Sequence, residues 1–203
     1  NIVHGFAQVL REDGESIPDD EKQQIAETMF VQTNTLDYMV SKLLTASLIE
    51  SQQSIVLADT VGCNDMAREA FDNASSLIAH TAEIRLDSHV DDELTVQTNR
   101  HHLLIVLTEL LTNALHFTKE GCVTMRIEAT DNAVNFIIED TGFGIPSDKA
   151  DFIFEKFTKI DMFTEGLGLG LFLCRRVVQL MGGSLTLDPQ YTGGSRFVLK
   201  LSL

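Results

Sequence analysis

Basic residues are scarce in this 203-residue chain: 15 Lys and Arg stand against 30 Asp and Glu, a formal charge of −15. That deficit argues against nucleic acid or an anionic membrane as the main partner, because both are bound through cationic side chains. Cysteine is scarce too. Cys63, Cys122 and Cys174 are odd in number and widely spaced. They fit neither a metal site nor a redox pair, and buried, reduced thiols in a cytosolic setting are expected. No apolar run is long enough to span a bilayer, and no signal peptide can be read. A cytoplasmic chain is therefore expected, with any membrane attachment left to parts outside it. Internal repeats and low-complexity tracts are also lacking. The apolar fraction of 44% is ample for a packed core in one or two domains.

Three stretches carry chemistry. Asp140-Thr-Gly142-Phe-Gly144-Ile-Pro146 follows the short apolar strand candidate at 135–139. A carboxylate at a strand end beside a glycine turn suits a purine, because it can accept a hydrogen bond from an exocyclic amine. Glycine permits the close approach that such a ligand needs. By itself this pattern is equally an ordinary strand-to-loop turn. The second stretch holds Glu109, Asn113 and His116, within a helical repeat of Leu103, Leu107, Leu110, Leu111 and Ala114. Spacings of four and three put the three polar groups on one helix face. A carboxylate and an amide oxygen stacked this way can hold Mg²⁺. The third, Gly166-Leu-Gly168-Leu-Gly170-Leu171, opens a helix reaching about Met181. Glycine backbone amides at a helix start form an anion site suited to a triphosphate.

Together these stretches resemble the N, G1 and G2 boxes of sensor histidine kinases, members of the GHKL ATP-binding superfamily with Hsp90, DNA gyrase and MutL. Ile153-Phe154-Glu155-Lys156-Phe157 is similar to the F box, and Gly193-Gly194-Ser195-Arg196-Phe197 to the stretch before the closing strand. The resemblance implies ATP and Mg²⁺ as cofactors. It implies that Asp140 binds the adenine amine in a pocket shaped by Gly142 and Gly144. It gives Asn113 to the metal, and Gly166, Gly168, Gly170 and Leu171 to the phosphates and their lid. It makes Phe154 the lid anchor, although core packing is the plainer reading for Phe154 and Phe157. His116 stands where relatives often carry Lys or Arg, and an imidazole is a weaker, pH-dependent phosphate ligand. Ser195 is a candidate for the adenine or simply a turn hydroxyl. Glu109 is a metal and catalytic candidate, at a place where many kinases have Asn and where ATPases have a water-activating Glu.

The amino-terminal part also matches. Residues 1–12 are helix-patterned, 14–18 break the pattern, and Asp19-Asp20-Glu21 opens a long helix with acids suited to its dipole. Ile25, Met29, Gln32, Leu36, Met39, Leu43 and Ala46 form a heptad seam. Two helices cannot bury that seam alone, and a homodimeric four-helix bundle is expected. Asn1-Ile-Val-His4-Gly5 matches only the tail of the family's phosphoacceptor segment. The acceptor histidine is thus expected about two helical turns before Asn1, and His4 is not expected to be phosphorylated.

The expected fold is α+β: a dimerisation and phosphotransfer hairpin at 1–53, then an α/β sandwich at 54–203 with a mixed sheet and helices on one face. Its strands are expected at 54–57, 83–86, 94–97, 122–129, 133–139, 184–187 and 196–201. Leu171, Cys174, Val178 and Met181 are expected to point inward, and 158–165 to form a lid. The function implied is ATP-dependent autophosphorylation on histidine, with transfer to an aspartate of a response-regulator receiver domain. The alternatives are a GHKL-type ATPase, or a dimeric nucleotide-binding signalling module without catalysis.

Overall fold

The computed structural model describes residues 2–13, 16–159 and 167–203. The chain divides into two compact units, Asn1–Ser47 and Leu48–Leu203.

The first unit is helical. Helix α1 spans Ile2–Asp13, and α2 spans Asp19–Ser51. Pro18 starts α2 by accepting the Lys22 amide at 3.0 Å, a position where its missing N–H costs nothing. Asp19, Asp20 and Glu21 fill the first turn, where the helix dipole favours negative charge. Along the heptad seam Ile25 and Ala46 are buried, while Leu36 and Leu43 stay 45% and 41% exposed. Phe30, Val31, Val40, Leu44 and Leu48 are also exposed on this helix. Such a load of open apolar surface exceeds the scattered residues ordinary on a monomer.

In the second unit, β1 (Asp59–Gly62) pairs antiparallel with β3 (Thr95–Thr98) as a small ribbon. The main sheet has the order β2-β4-β5-β7-β6, built from Glu83–Ser88, Cys122–Thr130, Ala133–Asp140, Arg196–Ser202 and Ser184–Leu187. β2 runs parallel to β4, and the other pairs are antiparallel, so the sheet is mixed. Val123, Met125 and Ile127 of β4, Val134, Phe136 and Ile138 of β5, and Phe197, Leu199 and Leu201 of β7 are buried. Their period of two sends them to one face, where α3 (Cys63–Leu77), α4 (Arg100–Phe117) and α5 (Gly170–Leu180) lie. This is the expected α+β sandwich.

One strand is displaced from its expected place. Residues 54–57 form no strand; β1 lies at 59–62 instead. The run Ile55-Val56-Leu57 looks like a strand from its apolarity alone. Ile55 is buried and donates its amide to Leu180 O at 3.2 Å, but Val56 is 75% exposed. The ladder partner, β3, is met by Asp59 to Gly62, in which Val61 alone is a large apolar residue and is buried. Leu171 also departs from expectation. It is half-exposed in the first turn of α5, while Leu173 and Val177 join Cys174, Val178 and Met181 inside. Among the described residues no helix is long and apolar enough to cross a membrane.

Candidate functional site

Asp140 ends β5 with only 4% of its surface exposed. Its Oδ1 accepts the Gly142 amide at 2.9 Å and the Ser195 amide at 3.1 Å. Its own amide donates to Ser195 O at 2.9 Å. Burial pushes the carboxyl above the ordinary Asp value of 3.8, while the Gly142 amide and the Ser195 amide and hydroxyl pull it back. A buried carboxylate thus faces the site with two backbone donors holding one oxygen. Ser195 is itself buried.

The turns around Asp140 leave no space for side chains. A methyl on Gly194 would come within 2.1 Å of Asp140 O, and one on Gly142 within 2.4 Å of Phe117 O. Gly144 lies against the Gly194 carbonyl. Phe117 stacks edge-on with the exposed Phe143 at 5.4 Å and with His116 at 4.9 Å. His116 itself is exposed.

The other end of the site lies at the start of α5. Gly168 has φ +67°, and a methyl there would come within 2.4 Å of Thr158 O. Glycine is required on both counts. Leu169 precedes the helix without a side-chain cap. A methyl on Gly170 would lie 2.3 Å from Glu109 Oε1, so the Glu109 carboxylate sits at the first residue of α5. Asn113, one turn further along α4, is half-buried like Glu109. Helix α4 therefore reaches both ends of the site: Glu109 meets Gly170, and the Phe117 carbonyl meets Gly142. Eight residues of helix separate them, about 12 Å along the axis.

Not every expected residue joins this arrangement. Gly166 lies outside the described residues, as do positions 160–165 of the expected lid. Phe154 is 5% exposed, edge-on to Phe197 at 6.2 Å and beneath the Arg175 guanidinium at 4.6 Å. That is core packing, the plainer of its two readings. Phe157 is exposed with φ +63°. Lys156 pairs with Glu50 and lies over the Phe172 ring at 5.1 Å. Burial pushes the Cys63 thiol up to about 11, so it is protonated and inert at neutral pH.

Two features were not read from the sequence. Leu169, within the glycine run, is almost fully buried and keys that run into the core; its apolar neighbours on both sides hid it. Gly194 packs directly on the Asp140 carbonyl. The Gly193-Gly194 pair was the available signal, but its target 54 residues upstream was not visible.

Residues 98–203, more than half of the chain, match the family described as "Histidine kinase-, DNA gyrase B-, and HSP90-like ATPase". Sensor histidine kinase RcsC of Escherichia coli (strain K12) is 26% identical over 171 residues, 81% of this chain and 18% of that protein. The autoinducer 2 sensor kinase/phosphatase LuxQ of Vibrio parahaemolyticus is 28% identical over 219 residues, 99% of this chain and 24% of that protein. The chain thus spans about a fifth to a quarter of the length of these relatives. Among solved structures, the Acinetobacter baumannii histidine kinase AdeS superposes with a TM-score of 0.72 at 23% identity, covering 99% of this chain and 93% of that one. The chain belongs to the histidine kinase-, DNA gyrase B- and HSP90-like ATPase family.

Proposed function

We propose that this chain is the core of an ATP-dependent protein-histidine autokinase in two-component signalling. Residues 54–203 bind ATP, and residues 1–53 dimerise and present the phosphotransfer helices. One observation carries the reading. Two points on a single helix, α4, about 12 Å apart along its axis, meet the glycine floor of a buried carboxylate and the first residue of an uncapped, glycine-started helix. That is a purine site and an anion site at the separation of adenine and triphosphate.

Asp140 accepts the adenine 6-amine, with Gly142 and Gly144 lying against the ring and Ser195 holding the carboxylate. Gly168, Gly170 and Leu171 bring the first-turn amides of α5 to the phosphates, where the helix dipole favours negative charge. Gly166 belongs to the same run, and His116 lies beside the phosphates as a secondary ligand. The donors fit Mg²⁺: Glu109 and Asn113 offer oxygen from successive turns of α4. No group of three His, Cys, Asp or Glu is found among the described residues, so phosphate oxygens and water complete the shell. The ion, when bound, neutralises charge on the transferring phosphoryl group. Glu109 also accepts the proton of the attacking group. In the transfer the histidine nitrogen bonds to the γ-phosphorus as the bond to the β,γ-bridging oxygen breaks, and ADP leaves. A receiver-domain aspartate then takes the phosphoryl group.

The test is incorporation of labelled γ-phosphoryl from Mg²⁺-ATP by the full-length natural protein, with acid lability identifying phosphohistidine. Label lost in Asp140→Asn supports the reading. Phosphate release without labelling, abolished by Glu109→Gln, would show an ATPase instead, and ATP binding without either would show a binding module. Dimerisation is tested at the seam. Leu36 is 45% exposed in the single chain. Leu36→Glu buries an unpaired charge in the bundle and should split the dimer in sedimentation; an undisturbed dimer contradicts the seam.

A further inference from the structure

The solvent face of the sheet carries a line of alternating charge. Arg126 Nε lies 3.1 Å from Asp87 Oδ2, and its Nη1 lies 3.3 Å from Glu139 Oε1. Arg196 Nε sits 2.8 Å from Glu139 Oε1 as an ion-pair contact without hydrogen-bond alignment. Arg196 Nη1 donates to Asp188 Oδ2 at 3.0 Å, and its guanidinium lies over the Tyr191 ring at 4.1 Å. The line ends directly behind Asp140. Glu139 and Arg196 are register partners on β5 and β7, and the adjacent pair is Asp140 with Ser195. Alternation sends Glu139 and Arg196 to one face and Asp140 and Ser195 to the other.

Arg196 therefore ties three pieces together: the end of β5 through Glu139, the exit of β6 through Asp188, and the intervening loop through Tyr191. Tyr191 in turn backs the glycine turn, since a methyl on Gly193 would lie 2.6 Å from its hydroxyl. Asp188 further fixes the loop by accepting the Gln190 amide at 3.0 Å. The product of the clamp is the position of Gly194 and of the Ser195 amide, the two groups that touch Asp140 from behind and from the side.

We infer that Arg196 is a positioning residue for adenine recognition, acting from the opposite face of the sheet by clamping the 188–195 loop so that Ser195 holds the Asp140 carboxylate. This rests on the assignment of Asp140 to adenine. The guanidinium touches no ligand; it sets the aim of the acceptor. A stacked guanidinium that bridges two carboxylates cannot be replaced by an ammonium without loss of its planar fork. The clamp should therefore act on base discrimination and leave phosphate binding alone.

The experiment is calorimetry on the full chain with ADP and with purine riboside 5′-diphosphate, which lacks the 6-amine. The readout is the ratio of the two dissociation constants. A general loss of stability lowers both affinities together and leaves the ratio unchanged, whereas a displaced acceptor changes the ratio. In Arg196→Gln the preference for ADP should fall about three- to tenfold, the scale of one hydrogen bond, with the analogue's affinity held within about twofold. Arg196→Lys should restore it only in part. Glu139 keeps Arg126 as a partner in either variant, and Asp188 keeps the Gln190 amide. If Arg196→Gln does not fold, Asp188→Asn, which leaves Glu139 and Arg196 in place, must lower the ratio in the same direction. A wild-type ratio in the Arg196 variant, or in Asp188→Asn where that replaces it, overturns the clamp while Asp140→Asn still abolishes the preference. A wild-type ratio in Asp140→Asn as well overturns the adenine assignment itself.

Discussion

The two ends of the candidate site are built on opposite plans. At the purine end the groups that matter are buried and held by backbone: the Asp140 carboxylate takes two amides, and Gly194 is packed against the Asp140 carbonyl. At the other end the side chains are half-buried or exposed. Glu109 and Asn113 are half-open on α4, and α5 starts with no side-chain cap. On the proposed reading, the contrast is a division of labour. A base of fixed shape is met by a preformed pocket. A charged, reacting phosphate chain is met by donors that the ligand and its ion complete.

The comparison predicts how variants should divide. The largest effect belongs to Glu109→Gln. It should lower phosphoryl turnover by about 10²- to 10⁴-fold, the usual worth of a positioned acid or base. Affinity for ADP measured without Mg²⁺ should change by no more than about threefold. A matching loss of affinity would mean that Glu109 serves binding. Gly194→Ala comes next. Its methyl would meet a backbone oxygen at 2.1 Å, and overpacking of that kind costs about 1–3 kcal/mol. Thermal unfolding should show a lower midpoint, together with weakened nucleotide binding; an unchanged midpoint would mean that the purine end is softer than described.

Much of this arrangement was legible in the sequence. The helical spacing of Glu109, Asn113 and His116, the strand leading into Asp140, and the glycine run before α5 each carry a local signal, and each lies in the expected element. The displaced first strand was not legible, because β1 is defined by its partner β3, and its four residues hold a single large apolar side chain, Val61. Nor was the support behind Asp140. Gly194 and Ser195 touch a residue more than fifty positions away, and nonlocal packing leaves no periodicity. Phe154, packed against Phe197 and Arg175, has the buried contacts that its plainer reading expects.

The smallest effect is expected at His116. It is exposed, with Phe117 as its ring partner. His116→Ala should change ADP affinity by no more than about twofold, as surface substitutions do. A tenfold loss would make the phosphate end as preformed as the purine end and remove the contrast.

Acidification gives a further test of the purine end. Burial holds the Asp140 carboxyl above 3.8, so the folded protein takes up this proton at a higher pH than the unfolded chain does. For folding, that shift favours the native state as pH falls through the raised value and costs stability above it. For binding, the sign is reversed, because protonation removes the acceptor. Nucleotide affinity should therefore fall on acidification, beginning above the pH at which a surface Asp titrates. Asp140→Asn should lack this component.

The central claim is that Asp140 reads the adenine amine, and titration calorimetry of ADP into the wild-type chain and Asp140→Asn tests it most directly. Exchanging the acceptor for an amide should weaken binding by about 1–3 kcal/mol, the scale of an unsatisfied buried polar group, or roughly five- to 160-fold. Equal affinity in the two proteins would contradict the account.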